Sequence, residues 1–258
     1  MFLAGAHISI GLLVGILVGL TGVGGGVILL PIMIFGLRVP ALTAVGSDAV
    51  FNAITKLGAG YFHWRARTVS RRLVVGLCCG SLPGAWVGVH VLDYLRREMG
   101  AGVNHFLTVF IGALLVGVTL LLFFEDKIAR FFTVQKLRPA EVVAKAAVIG
   151  LFAGILVGMS SVGSGSIVMV LLLLFVQCHP QSLVGTDIIH AILLTGFTGI
   201  LQFHLGNVDL RLVAELLIGS VPGALIGVKL SSRLPGPWLR RVLCVILLLT
   251  GIRMLGVV

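Results

Sequence analysis

The 258-residue chain is 58% hydrophobic and 11% charged, with a mean hydropathy of +1.16. Soluble domains carry about 25% charged residues, so this composition excludes a water-soluble globular class and indicates an integral membrane protein. The net charge of +10 is held by arginines and lysines between apolar runs. That is a topology signal rather than a nucleic-acid surface.

Ten apolar segments follow in chain order, at about 5–20, 26–37, 43–62, 73–92, 104–124, 142–159, 165–177, 183–203, 211–230 and 238–257. A spanning helix takes roughly 20 apolar residues. The runs are continuous and do not alternate, which excludes a membrane β-barrel. The first segment opens "MFLAGAHISIGLL" with no basic stretch before it, so it reads as a membrane segment rather than a cleaved signal. Segments 26–37 and 165–177 are short for full spans and suit broken or re-entrant helices. Cys78, Cys79, Cys178 and Cys244 lie in or beside apolar segments without metal spacing, and read as small core residues. No metal and no cofactor is expected.

The chain repeats itself. "GILVGLTGVGGG" (15–26) returns as "GILVGMSSVGSG" (154–165), "VGSD" (45–48) as "VGTD" (184–187), and "GSLPGAWVG" (80–88) as "GSVPGALIG" (219–227), all at an offset of 139 residues. Residues 1–124 and 142–258 are therefore expected to be two homologous transmembrane halves, joined by a polar cytoplasmic linker at 125–141. Each half has five segments, an odd number, so the repeat is inverted, as in many secondary transporters. The expected fold is an all-α polytopic membrane protein of two inverted repeats. Each would hold a broken or re-entrant helix pair plus about three spanning helices. Thirteen basic loop residues fall on one side and five on the other. This puts the richer side in the cytoplasm and both termini outside the cell (inner) membrane.

The short segments follow glycine clusters, "TGVGGG" and "SSVGSG". Glycine frees the backbone to break a helix. A helix that restarts in mid-membrane presents free N–H groups and a positive dipole end, which is an anion site made of backbone. Candidate anion-binding residues are Thr21, Gly24, Gly25, Gly26, Ser160, Ser161, Gly163, Ser164 and Gly165. No strand precedes the glycines, so a nucleotide cradle is a poor reading. Gly15, Gly19, Gly80, Gly84, Gly88, Gly154, Gly158, Gly219, Gly223 and Gly227 read as close helix packing.

Ionisable groups inside spans are costly and point to function. Asp48 and Asp187 occupy matching places and open the third segment of each half. Helix-start carboxylates that complement the dipole are the plainer alternative. Asn52 and Lys56 follow Asp48 at intervals of four and extend one polar stripe. The second half has Asp187, Ala191 and Thr195 at those places. Lys56 is expected to meet substrate or balance charge, with Asn52 and Thr195 beside it. Asp48 and Asp187 are candidates for a coupling proton. His190 is either a hydrogen-bonded core histidine or a proton relay. Glu215 reads as an i,i+4 partner of Arg211.

"GLTGVGGGVILLP", "GMSSVGSG", "VGSDAVFNAITK", "VGTD", "FHLGNVDLRL" and "GSVPGALIG" together resemble the sulfite exporter TauE/SafE family, also called TSUP. The resemblance covers nearly the whole chain. It implies a membrane permease for small organic or sulfur-containing anions such as sulfite, sulfonates or sulfoacetate-like compounds. The "GNVD" pattern is replaced in the first half by "RARTVS" (65–70), where Ser70 stands opposite Asp209. The expected function is a secondary transporter for a small anion, working by alternating access and coupled to a proton or sodium ion. An uncoupled anion channel is the alternative. An enzyme would need a nucleophile–base pair or metal cluster, and no such spacing occurs. The expected partners are the anion, a coupling ion and the lipid bilayer, with no nucleic acid. The sequence does not fix an oligomeric state.

Overall fold

Apolar runs punctuated by glycine and proline fold into helices, and no strand occurs among the described residues. The computed structural model describes residues 2–21, 25–131, 139–175, 180–231 and 236–256. In order these form α1 (Phe2–Thr21), α2 (Gly26–Pro31), α3 (Ala41–Arg65), α4 (Arg71–Met99), α5 (Gly102–Phe131), α6 (Pro139–Ser160), α7 (Ser166–Phe175), α8 (Pro180–His204), α9 (Leu210–Ser231) and α10 (Gly236–Leu255). Both ends of the 125–141 segment are thus helical. After Pro31 the α2 helix widens into a π-helical stretch, Ile32–Gly36. There the Leu37 N–H bonds to the Ile32 carbonyl, five residues back.

Five of the described helical stretches are long and apolar enough to cross a membrane: Arg71–Met99, Gly102–Phe123, Glu141–Ser160, Ser182–His204 and Leu210–Gly227. The chain is a multi-pass membrane protein. Helix α3 has 25 residues but falls outside this set, because Asp48, Asn52 and Lys56 lower its hydropathy. Phe152, Leu225 and Leu249 stand exposed on the outer faces, as large apolar side chains do on a surface that meets lipid.

Small residues set the packing. Gly80, Gly84 and Gly88 of α4 lie against the backbone of Ala147, Leu151 and Ile155 on α6, and a Cβ at any of them would strike a carbonyl oxygen. Gly219, Gly223 and Gly227 of α9 meet Ile8, Leu12 and Ile16 of α1 in the same way. Each residue of one interface lies 139 positions from its counterpart in the other. Residue numbers rise together across both contacts, so α4 runs parallel to α6, and α9 to α1. Gly15 against Ser220 and Gly154 against Ser81 complete the two interfaces. The glycines read as packing positions do serve close packing.

Helices α3 and α8 form the central pair. Gly60 faces Ile192, and Gly199 faces Val50, so the two run antiparallel. Two latches at equivalent positions tie this pair to the next helices. The Asp209 N–H donates to Ser47 Oγ at 3.0 Å, and the Ser70 N–H donates to Thr186 Oγ1 at 2.9 Å.

Candidate functional site

The site grows from one face of α3. Spacing by four stacks Asp48, Asn52 and Lys56. Asn52 Nδ2 donates to Asp48 Oδ2 at 2.8 Å and to the Asp48 carbonyl at 3.0 Å. From the break between α6 and α7, Ser161 Oγ donates to the same Asp48 Oδ2 at 2.7 Å. From the other break, the Gly26 N–H donates to Asn52 Oδ1 at 3.2 Å. The two breaks therefore meet around Asp48. A Cβ at Gly26 would lie 2.6 Å from Asp48 Oδ2, 2.9 Å from Asn52 Nδ2 and 3.3 Å from the Ser161 carbonyl oxygen.

A second cluster forms around Gly165. Lys56 Nζ donates to Ser164 Oγ at 3.1 Å. A Cβ at Gly165 would lie 3.4 Å from Asp187 Oδ2 and 3.8 Å from Lys56 Nζ. The ammonium and the carboxylate thus both approach one glycine. Asp48, Asn52, Ser161, Ser164 and Asp187 are buried, and Lys56 is half-buried. Asp48 Oδ1 and Asp187 Oδ1 are buried without a hydrogen-bond partner. Buried polar atoms are rarely left unpaired, so each is a free acceptor with a reason to exist.

Neither aspartate opens its helix. Helix α3 begins at Ala41 behind Pro40, and α8 begins at Pro180. Each carboxylate lies about two turns inside, beyond the first turn where the helix dipole acts. The helix-start alternative is corrected on this point. The amide at the start of α2 is also committed: Gly26 gives its N–H to Asn52, and the Gly25 carbonyl accepts from Ile28 and Leu29.

Other candidates lie outside the two clusters or outside the description. Gly25 packs against the Phe51 ring. Ser160 Oγ turns back to the Leu156 carbonyl at 2.7 Å and accepts from the Val162 N–H at 3.2 Å, so it shapes the break. Ser161 and Gly163 adopt φ of +58° and +92°, the left-handed conformation that ends α6. Thr195 bonds to the Ala191 carbonyl of its own helix at 2.7 Å. His190 Nε2 pairs with Ser81 Oγ at 2.8 Å, and its Nδ1 has no partner. Gly24 and the Thr21 side chain lie outside the described residues.

Three features had weak sequence signals. Ser81 is one more hydroxyl among small packing residues, yet it is the partner of His190. The latch hydroxyls Ser47 and Thr186 precede the two aspartates but find their partners on distant loops. His7 pairs with Glu215, which Arg211 also holds at 3.0 Å. Only the Arg211 contact has a local spacing that can be read. Among the described residues no three metal-ligating side chains converge.

The sequence profile of the family described as Sulfite exporter TauE/SafE matches residues 7–254. The chain is 37% identical over 259 residues to the "Probable membrane transporter protein YjnA" of Bacillus subtilis (strain 168), covering 96% of this chain and 98% of that one. It is 25% identical to the "Probable membrane transporter protein YdhB" of the same organism, covering 86% and 88% of the two chains. For its "Probable membrane transporter protein YunE" the identity is 23%, covering 96% of each. No solved structure matches the chain. With a profile spanning nearly the whole sequence and a relative matched end to end, the chain belongs to the sulfite exporter TauE/SafE family and is a membrane transporter, not an enzyme.

Proposed function

We propose that this transporter moves a small oxyanion of the sulfite or sulfonate type across the inner membrane, coupled to an ion and working by alternating access. The observation that carries this reading is the Lys56 Nζ–Ser164 Oγ contact at 3.1 Å, near Asp187 at the break between α6 and α7. A cation and a hydroxyl donor side by side match the needs of an oxyanion. In the low dielectric of the membrane such a pair acts strongly.

The coupling follows from charge. Two carboxylates and one ammonium, all ionised, sum to one negative charge and repel an anion. A proton on Asp187 or Asp48 removes that repulsion, and each has an oxygen free to take it. Anion and proton then favour each other's binding, and such linkage is reciprocal. A sodium ion at a free carboxylate oxygen would serve the same balance.

Inverted halves supply the motion. The antiparallel α3–α8 pair and the matching α4–α6 and α9–α1 interfaces support two equivalent units that rock about the central pair. The excess of basic residues on one side supports the orientation with both termini outside.

Sulfite flux into proteoliposomes, with imposed pH or sodium gradients, tests this reading. Uphill uptake driven by one gradient, and lost in Lys56→Ala, is expected. Flux that ignores both gradients and scales linearly with voltage would establish the uncoupled channel instead.

A further inference from the structure

The α3–α4 loop contains a feature that the buried site does not use. Trp64, Arg65, Arg67, Val69 and Arg71 line one cavity of about 580 Å³, within the usual range of ligand pockets, about 300–1,000 Å³. Among the described residues, no carboxylate lies within ion-pair distance of Arg65, Arg67 or Arg71. The Arg71 guanidinium stands over the Trp64 ring at 5.3 Å, and Arg65 Nη1 donates to the Tyr61 hydroxyl at 3.3 Å. We propose that this loop is a second oxyanion-binding pocket, separate from the buried site, in which Arg65, Arg67 and Arg71 hold a sulfate-, sulfonate- or phosphate-type group. The group comes either from an ion in the water or from a lipid headgroup.

A topology signal explains why a loop is basic. It does not explain why three arginines border one cavity, nor the backbone at Arg67. Arg67 holds φ at +55°, a conformation that suits glycine. Its counterpart 139 residues on is Gly206, with φ at +73°. The same turn is thus built twice, once with the residue that fits and once with an arginine that does not. Strain retained against an available solution points to a use for the side chain.

The rest of the turn is pinned. Thr68 Oγ1 donates to the His63 carbonyl at 3.1 Å, and the Ser70 N–H is held by Thr186. The equivalent loop replaces Arg65, Arg67 and Arg71 by His204, Gly206 and Leu210. Guanidinium forks bind oxyanions through paired N–H groups with fixed geometry, and the first-half loop alone supplies them.

Trp64 gives the readout, because an oxyanion that draws Arg71 off the ring changes its fluorescence. The protein is purified with Trp86→Phe and Trp238→Phe, placed in phosphatidylcholine nanodiscs and titrated with sulfate. In parallel, lipid retained from discs containing phosphatidylglycerol is read by native mass spectrometry. A saturable sulfate response is expected if the group comes from water. Retained phosphatidylglycerol, with sulfate excluded, is expected if it comes from lipid. Either occupant should bind about tenfold more weakly in Arg67→Gly. Binding should be lost in Arg67→Gly/Arg71→Gln, followed there by calorimetric titration of sulfate or by retained lipid so that it does not depend on the Arg71–Trp64 contact, and partly kept in Arg67→Lys. Glycine suits the left-handed turn, and an unfolding midpoint of Arg67→Gly no lower than that of the parent protein separates loss of binding from misfolding. Lys56→Ala should leave the response unchanged. The proposal is overturned if neither sulfate nor phosphatidylglycerol binds in an Arg67- and Arg71-dependent way, or if Lys56→Ala abolishes the binding.

Discussion

The two helix breaks occupy equivalent places but have different surroundings. Around Gly26 the partners are tied to one another: Asn52 and Ser161 both donate to one oxygen of Asp48. Around Gly165 they are ionisable: Asp187 and Lys56. The difference traces to α3 and α8. Asn52 and Lys56 stand where the second half has Ala191 and Thr195. The glycines of the α4–α6 and α9–α1 contacts are repeated, Gly80, Gly84 and Gly88 matching Gly219, Gly223 and Gly227, while the polar chemistry is not. A duplicated fold needs both copies of its close contacts, because each buries its own interface. The cation has no such requirement, and only the first half carries one, at Lys56.

If the scaffold is symmetric, equivalent glycines must fail alike. Gly80→Leu and Gly219→Leu both force a side chain into a facing backbone. Each should cost about 3 kcal/mol or more and eliminate the monodisperse peak on size-exclusion chromatography. A variant pair in which only one fails would break the equivalence of the α4–α6 and α9–α1 contacts.

Equivalent glycines at the breaks should instead diverge. In Gly26→Ala the new methyl would lie 2.6 Å from Asp48 Oδ2, whereas in Gly165→Ala the nearest atom is 3.4 Å away. Sulfite flux should fall about tenfold or more in the first, since small displacements of binding groups are expensive. It should stay within about threefold in the second. Equal losses would mean that both breaks are equally tight.

Ser161→Ala removes a donor from a buried carboxylate. Stability should drop by about 1–3 kcal/mol, read as a lower midpoint of thermal unfolding in detergent. The smallest effect contrasts the two loops. Arg67→Gly should raise stability by about 1 kcal/mol, and Gly206→Arg should lower it by about as much. A destabilised Arg67→Gly would mean that the left-handed turn carries no strain.

Much of this organisation is legible in the sequence. The offset of 139 residues and the glycine triplets spaced by four give the two interfaces, because close helix contact requires small residues at that spacing. The stripe of Asp48, Asn52 and Lys56 is legible from helical periodicity alone. The aspartates' depth was not, because "VGSD" and "VGTD" look like helix starts. Pro40 and Pro180 set the true beginnings one to two turns earlier. Contacts across halves also escaped: Lys56 with Ser164, Ser161 with Asp48, Ser70 with Thr186. Their partners lie more than a hundred positions away, and no local pattern encodes them. In the sequence Arg67 is one basic loop residue among many, since its left-handed φ appears only in the folded turn.

The role of Lys56 is tested most directly by ligand-dependent thermal stabilisation, measured with sulfite in the Arg67→Gly/Arg71→Gln background so that the loop pocket contributes nothing. A ligand that binds only the folded state stabilises it by about 2.7 kcal/mol at a hundred times its Kd. A saturable rise in the unfolding midpoint is expected with Lys56 present, and none in Lys56→Ala or Lys56→Gln. The same rise in Lys56→Ala would contradict the assignment of Lys56 as the anion's contact in the buried site.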